Sequence, residues 1–259
     1  ANYLAALDIP LNTGRATGPT TSTMAHYLGA TQVLARNDTE WELVGGARPS
    51  VVRDQLASDP GLTPSTLYGE VSENTMRAAT GDANLARAAQ DKTLTPLALY
   101  DVKQPTTIVR AEPTAGQFVI DGDNFAIPVL AQSGLMGSLP AFQLAGSLTP
   151  ATLGQAIDDG GRFVITDTNR RRLYSVQRIN DSYTETLPAD GSTKGQTATS
   201  ATLWPNRPET QTISRLDGVA SISTSNSGAE FGLAAFGQPE AAFDGDRSAR
   251  RALSRGGSC

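Results

Sequence analysis

Apolar positions in the first hundred residues come in short runs broken by turn residues. Tyr3, Leu4, Leu7 and Ile9 make an apolar start that Pro10 ends, and a loop with Gly14, Gly18 and Pro19 follows. Residues 20–28 have helical spacing, with a Thr or Ser as N-cap and Gly29 as the stop. The run 31–36 predicts a buried strand. Asn37-Asp38 then turns the chain, and 41–44 packs back over the strand. Residues 49–57 predict a second helix, opened by Pro49, with Val51, Val52 and Leu56 on one face. Residues 62–71 and 97–102 read as strands, separated by an Ala-, Asn- and Gly-rich surface insertion over 72–93. Helix and strand alternating in this way suggest a small α/β unit.

A second unit begins near Thr106. Residues 118–123 predict a strand that runs into a turn, and 126–136 are apolar. Residues 150–158 form a helix with Thr149 as N-cap and with Leu153, Ala156 and Ile157 facing inward. Gly160-Gly161 ends it, and 162–167 is the next strand. Beyond Leu173 the helical signal disappears. Thr, Ser, Asp, Gly and Pro dominate 181–215, as in strands joined by long loops, and 219–225 alternates like a half-buried strand. The expected fold class is α+β: small α/β units over 1–105 and 106–180, a β-rich linker region over 181–215, and an incomplete β-sandwich start over 216–259.

Composition narrows the function. The 259 residues are 39% hydrophobic, with 25 Gly and 15 Pro, which suits a loop-rich chain. A net charge of −5 argues against a nucleic-acid partner. No run of 18 apolar residues spans a membrane, and no signal peptide is visible. Cys259 is the single cysteine and His26 the single histidine. They cannot furnish a zinc site, and His26 reads as a structural residue on a helix rather than the base of a catalytic triad.

The remaining candidates are carboxylates, arginines and tryptophans. Asp121 and Asp123 flank Gly122 after a strand and could serve glycoside hydrolysis, although a solvated turn is the ordinary state of such a pair. Asp158-Asp159 reads as a turn. Arg170-Arg171-Arg172 follow a strand end, and guanidinium groups suit phosphate, carboxylate or sugar hydroxyls. The alternative for them is an exposed face paired with acids. Trp41 has apolar neighbours and reads as packing, whereas Trp204 is open to sugar stacking. Asp244 and Asp246 suit a hard cation such as calcium.

Several segments together resemble one family. Residues 27–38, from Tyr27-Leu28-Gly29 to Arg36-Asn37-Asp38, are similar to an L-G-V-x-Y-V-V-V-R-N-D-L segment. Residues 48–62 resemble the P-x-x-V-R-x-x-L-x-x-S-P-G-L helix that follows it, and 163–172 resemble V-L-T-D-x-x-R-R-R. Ala242-Phe243-Asp244-Gly245-Asp246 then resembles the opening of a discoidin-like β-sandwich, A-x-D-G-D-x-x-T, with too few residues after it to complete that module. Taken in order, these segments resemble the extracytoplasmic part of actinobacterial α-(1→3)-arabinofuranosyltransferases of the D type.

The resemblance implies a large membrane-bound parent of the cell envelope that moves arabinofuranose from a polyprenyl-phosphate donor onto arabinan. The family's catalytic acid lies in the membrane-embedded half, so no catalytic residue carries over. Arg36, Asn37, Asp38, Asp167, Arg170, Arg171, Arg172, Asp244 and Asp246 carry over as scaffold. Ala249-Arg250-Arg251 departs from the family pattern where a Thr and a Trp are expected near Arg247-Ser248, so the expected module is either cut or altered. The expectation is a non-catalytic accessory region on the extracytoplasmic face of the membrane. Its partners would be cell-wall arabinan or a related glycan and the membrane-embedded remainder of the parent. Trp204, Asp167, Arg170, Arg171 and Arg172 are the expected sugar contacts. No cofactor is expected, with a structural calcium at Asp244 and Asp246 as the one candidate. The competing readings are a freestanding secreted carbohydrate-binding or adhesive protein, and a carboxylate glycosidase using Asp121 and Asp123.

Overall fold

The fold is α+β, with a small antiparallel sheet and a small parallel sheet joined through one buried helix. The computed structural model describes residues 2–39, 41, 46–71, 91–174, 186–191, 199–200, 208–215 and 217–218. Trp204, Asp244, Asp246 and the strand expected over 219–225 lie outside the described residues, as does most of the insertion expected over 72–93.

The chain opens with α1 (Asn2–Asn12), which runs through Pro10 rather than ending there. Near the end of a helix a proline removes only one intrahelical bond. The helix is held by burial of Ala6 and by Tyr3, whose hydroxyl donates to Met24 O at 3.1 Å. Helix α2 (Thr20–Leu28) stops at Gly29, whose φ of 64° is the left-handed conformation glycine adopts freely. Its N-terminus corrects the sequence reading. Pro19 stands at the N-cap, and no Thr or Ser caps the helix with its side chain. Asp59 does so from across the fold, accepting from Ser22 N at 2.9 Å and Ser22 Oγ at 2.6 Å.

Strands β1 (Gln32–Arg36), β2 (Leu62–Tyr68) and β3 (Leu97–Val102) form an antiparallel sheet in the order β1-β3-β2. Strand β1 is an edge, and of its residues only Ala35 is buried, so the expected buried strand is an exposed one. A short apolar run does not reveal how many sides of it are covered. Between β1 and β2 lies α3 (Pro49–Ser58). It buries Pro49, Ser50, Gln55 and Leu56, while Val51 is exposed, which alters the expected face. Gln55 turns inward because its amide satisfies buried backbone, accepting from Ala16 N at 2.7 Å and donating to Leu11 O at 3.0 Å. Asn37, just beyond β1, is buried and donates to Thr95 O at 2.9 Å, and Arg36 pairs with Asp38 at 3.1 Å. Trp41 stacks under the Arg48 guanidinium, 4.8 Å from its ring centroid.

The second sheet is parallel. Strand β4 (Phe118–Asp121) leads to α4 (Ala126–Gln132) and β5 (Phe142–Leu144), then to α5 (Pro150–Asp158) and β6 (Arg162–Ile165). The order is β5-β4-β6, so the first strand is central and its successors lie on either side. Thr149 caps α5 in a reciprocal box with Thr152. Of the three residues expected to face inward on α5, Ala156 is buried and Ile157 is 46% exposed. Phe118, Ile120, Ile127, Leu130 and Leu144 make the core here, and Met24 of α2 joins them. Ala25, its neighbour, belongs instead to the core under the antiparallel sheet with Leu56, Leu62 and Tyr100. Helix α2 therefore links the two sheets through adjacent residues. Beyond β6, β7 (Leu173–Tyr174) pairs with β8 (Thr199–Ser200).

Candidate functional site

In an open parallel sheet, ligands bind outside the carboxyl ends of the strands, where the chain leaves neighbouring strands in opposite directions. Here that point lies between β4 and β6. Strand β4 delivers Asp121, Gly122, Asp123 and Asn124 to this edge, and β6 delivers residues 166–172.

The two loops are laced together by hydroxyls. Thr166 donates to Asp121 O through both its N–H and its Oγ1, each at 2.8 Å. Thr168 Oγ1 accepts from Asp123 N at 3.1 Å and stands 3.1 Å from Thr166 Oγ1. Gly122 sits beneath them. A Cβ there would overlap the Thr166 hydroxyl and stand 2.8 Å from that of Thr168.

Asp123 is fully buried. Its Oδ1 accepts from Phe125 N at 2.8 Å, and its Oδ2 has no partner among the described residues. Burial pushes its carboxyl up to about 6, and the charge of Arg172 with the Phe125 N–H pulls it back only in part. Asp121 is half-buried beside it.

The arginines divide by partner. Arg170 pairs with Asp167, donates to Asp167 O at 3.1 Å and reaches Thr186 Oγ1 at 3.2 Å, leaving its side chain 13% exposed. Arg171 donates to Gly191 O at 3.2 Å. The Arg172 charge acts on Asp123, drawing its raised pKa down. Asp167 remains 59% exposed. The backbone of this segment is stitched to later chain: Arg171 N to Thr212 O at 2.9 Å, Leu187 N to Arg171 O at 2.7 Å and Thr212 N to Asn169 O at 2.7 Å. Asn169 is buried, and its Nδ2 reaches Thr210 Oγ1 at 3.1 Å.

The structure thus brings Asp121, Asp123, Asp167, Arg170, Arg171 and Arg172 to one edge. Trp204 lies outside the described residues. Sequence reasoning missed Gly122, Thr166, Thr168 and Asn169. A polar run leaving one strand end opposite Asp-Gly-Asp leaving another was the available signal. Among the described residues no cluster of His, Cys, Asp or Glu could hold a metal, and no helix is long and apolar enough to cross a membrane.

The fold and this edge define the chain as an α+β region with a polar switch-point edge on a small parallel sheet. The chain belongs to the α-(1→3)-arabinofuranosyltransferase family, whose N-terminal GT-C domain model matches residues 2–201. Three cryo-EM structures of arabinofuranosyltransferase AftD from Mycobacteria share the fold. A mutant form in one class aligns with a TM-score of 0.52 at 18% identity, covering 75% of this chain and 15% of that one. The same mutant in a second class gives 0.51 at 17%, covering 75% and 15%. A third structure, for which no mutation is named, gives 0.50 at 18%, covering 76% and 14%. This chain therefore spans about a seventh of those proteins. No curated protein sequence matches it.

Proposed function

We propose that this chain is a non-catalytic accessory region of a membrane arabinofuranosyltransferase, lying on the extracytoplasmic face and helping to hold an arabinan acceptor. The family match over residues 2–201 supports the arabinofuranosyltransferase part of this reading. The polar edge supports it, because a switch-point edge is where a small parallel sheet receives a ligand. Asp167 is exposed there, and Arg170 fixes its position. In this reading Asp167 takes sugar hydroxyls and Arg170 orients it, Arg171 and Arg172 add further donors, and Trp204, outside the described residues, is the expected stacking partner for a sugar ring.

The glycosidase alternative meets a specific obstacle. Two catalytic carboxylates must flank a glycosidic bond that enters from solvent. Asp123 is fully buried, and one of its oxygens already accepts the Phe125 N–H. The family match likewise weighs against a freestanding adhesive protein.

Calorimetric titration of the chain with an arabinofuranosyl oligosaccharide tests the proposal. Asp167→Ala should weaken binding by about tenfold, the worth of a hydrogen bond to a charged group, and no oligosaccharide should be cleaved. Equal affinity in the variant would remove Asp167 from the site. Cleavage that disappears in Asp121→Asn would refute the non-catalytic reading.

A further inference from the structure

Asp123 joins three parts of the polar edge. Its backbone N–H donates to Thr168 Oγ1 at 3.1 Å, which ties the turn after β4 to the loop after β6. Its Oδ1 accepts from Phe125 N at 2.8 Å, at the start of α4. Its Oδ2 is buried and has no hydrogen-bond partner among the described residues. Turn and loop are in direct contact, since a Cβ on Gly122 would overlap the Thr166 hydroxyl.

This arrangement suits an uncharged carboxyl. With a proton on Oδ2, Oδ1 still accepts the Phe125 N–H and no charge is buried. A carboxylate in the same place loses its hydration and leaves one oxygen unmet. Arg172, from the loop after β6, is the charged group that acts on it and offsets that cost only in part. The surrounding elements supply no further cation: α4 carries no titratable side chain, Asp121 has the same sign, and Arg170 is paired with Asp167. Ionisation is relieved when Oδ2 reaches water. That movement draws Asp123 N away from Thr168 Oγ1 and loosens the place of Asp167, the residue before Thr168.

We propose that Asp123 is a positioning residue for this edge: uncharged, it holds the 121–124 turn closed on residues 166–168, and its ionisation opens the edge and weakens binding at Asp167. The proposal rests on the acceptor-binding reading above and adds its control by pH. The carboxyl has a pKa of about 6 in the closed edge, against an ordinary 3.8. Closure is therefore favoured at pH 4.5 and weakens as pH rises through 6.

Amide hydrogen exchange on the 259-residue chain at pH 4.5 and 7.5 tests the opening without sugar. Corrected for intrinsic rates, protection of the Asp123 and Thr166 amides should fall by about tenfold or more between the two. Low urea should not alter that exchange, since the opening is local. Asp123→Asn keeps an uncharged side chain and an acceptor for Phe125 N, and its protection should be level with pH. Wild-type protection independent of pH, exchange with the urea dependence of global unfolding, or an unchanged pH dependence in the variant would each overturn the proposal. Calorimetric affinity for an arabinofuranosyl oligosaccharide should fall by a similar factor in the wild type and stay level in the variant. Equal wild-type affinity at both pH values would overturn it as well. An edge that opens with pH in a chain that binds no oligosaccharide supports the positioning role and refutes the acceptor reading alone.

Discussion

At Gly122 the absence of a side chain lets the Thr166 and Thr168 hydroxyls close over the end of β4. Gly122→Ala places a methyl group among them and should destabilise the chain by about 2 kcal/mol, the scale of a forced overpacking; an unchanged denaturant midpoint would contradict that packing. Asp123, the next residue, makes a pH prediction. Its folded pKa of about 6 lies above the ordinary value of 3.8. The folded state therefore binds the proton more tightly than the unfolded one. Stability from this residue grows as pH falls through about 6 toward 4, and is lost again as pH rises through 6. Asp123→Asn removes that dependence. The stability difference between wild type and variant should change by roughly 2 kcal/mol between pH 7.5 and 4.5, and a difference constant with pH would sink the burial argument. Asp-Gly-Asp was legible in the sequence as a turn after a strand. That its second carboxylate is the buried one was not, because burial depends on a loop more than forty residues away.

Helix α2 depends on a residue from another element. Asp59 takes the N–H and hydroxyl of Ser22, and its Oδ1 also accepts from Gly61 N at 2.9 Å. Asp59→Ala should cost about 2–3 kcal/mol, since it leaves buried donors unmet at a helix start; urea unfolding checks this, and a loss under about 0.5 kcal/mol would show the cap to be idle. Local signals located α2, β3 and α5 well: Gly29 marks one end, Thr149 another, and the apolar run 97–102 is a strand over its full length. Signals that depend on tertiary partners were not readable. Pro10 looked like a stop, yet α1 runs through it because its own buried face holds it. The first sheet pairs antiparallel although helices alternate with strands, because alternation alone does not set direction. Gln55 was overlooked on α3 because its value lies in the backbone groups of Leu11 and Ala16.

Across the whole molecule, two sheets share α2, and the parallel one ends in a polar edge tied down by later chain. The segments around Arg36-Asn37-Asp38 and Arg170-Arg171-Arg172, taken in their order along the chain, were enough to make the family legible from residues alone. Their geometry was not legible, because it is set by partners distant in sequence. Asn37 and Asn169 work as buried backbone braces, and Arg170 as a support for Asp167. In the proposed function this edge receives arabinan without cutting it. Its most direct test is an amide NMR titration of the labelled chain with an arabinofuranosyl oligosaccharide. Saturable shifts should group at residues 121–124 and 166–172, together with the Trp204 indole, and the sugar should be intact at the end. Shifts confined to other surfaces, no shifts at saturating sugar, or a cleaved product would contradict it.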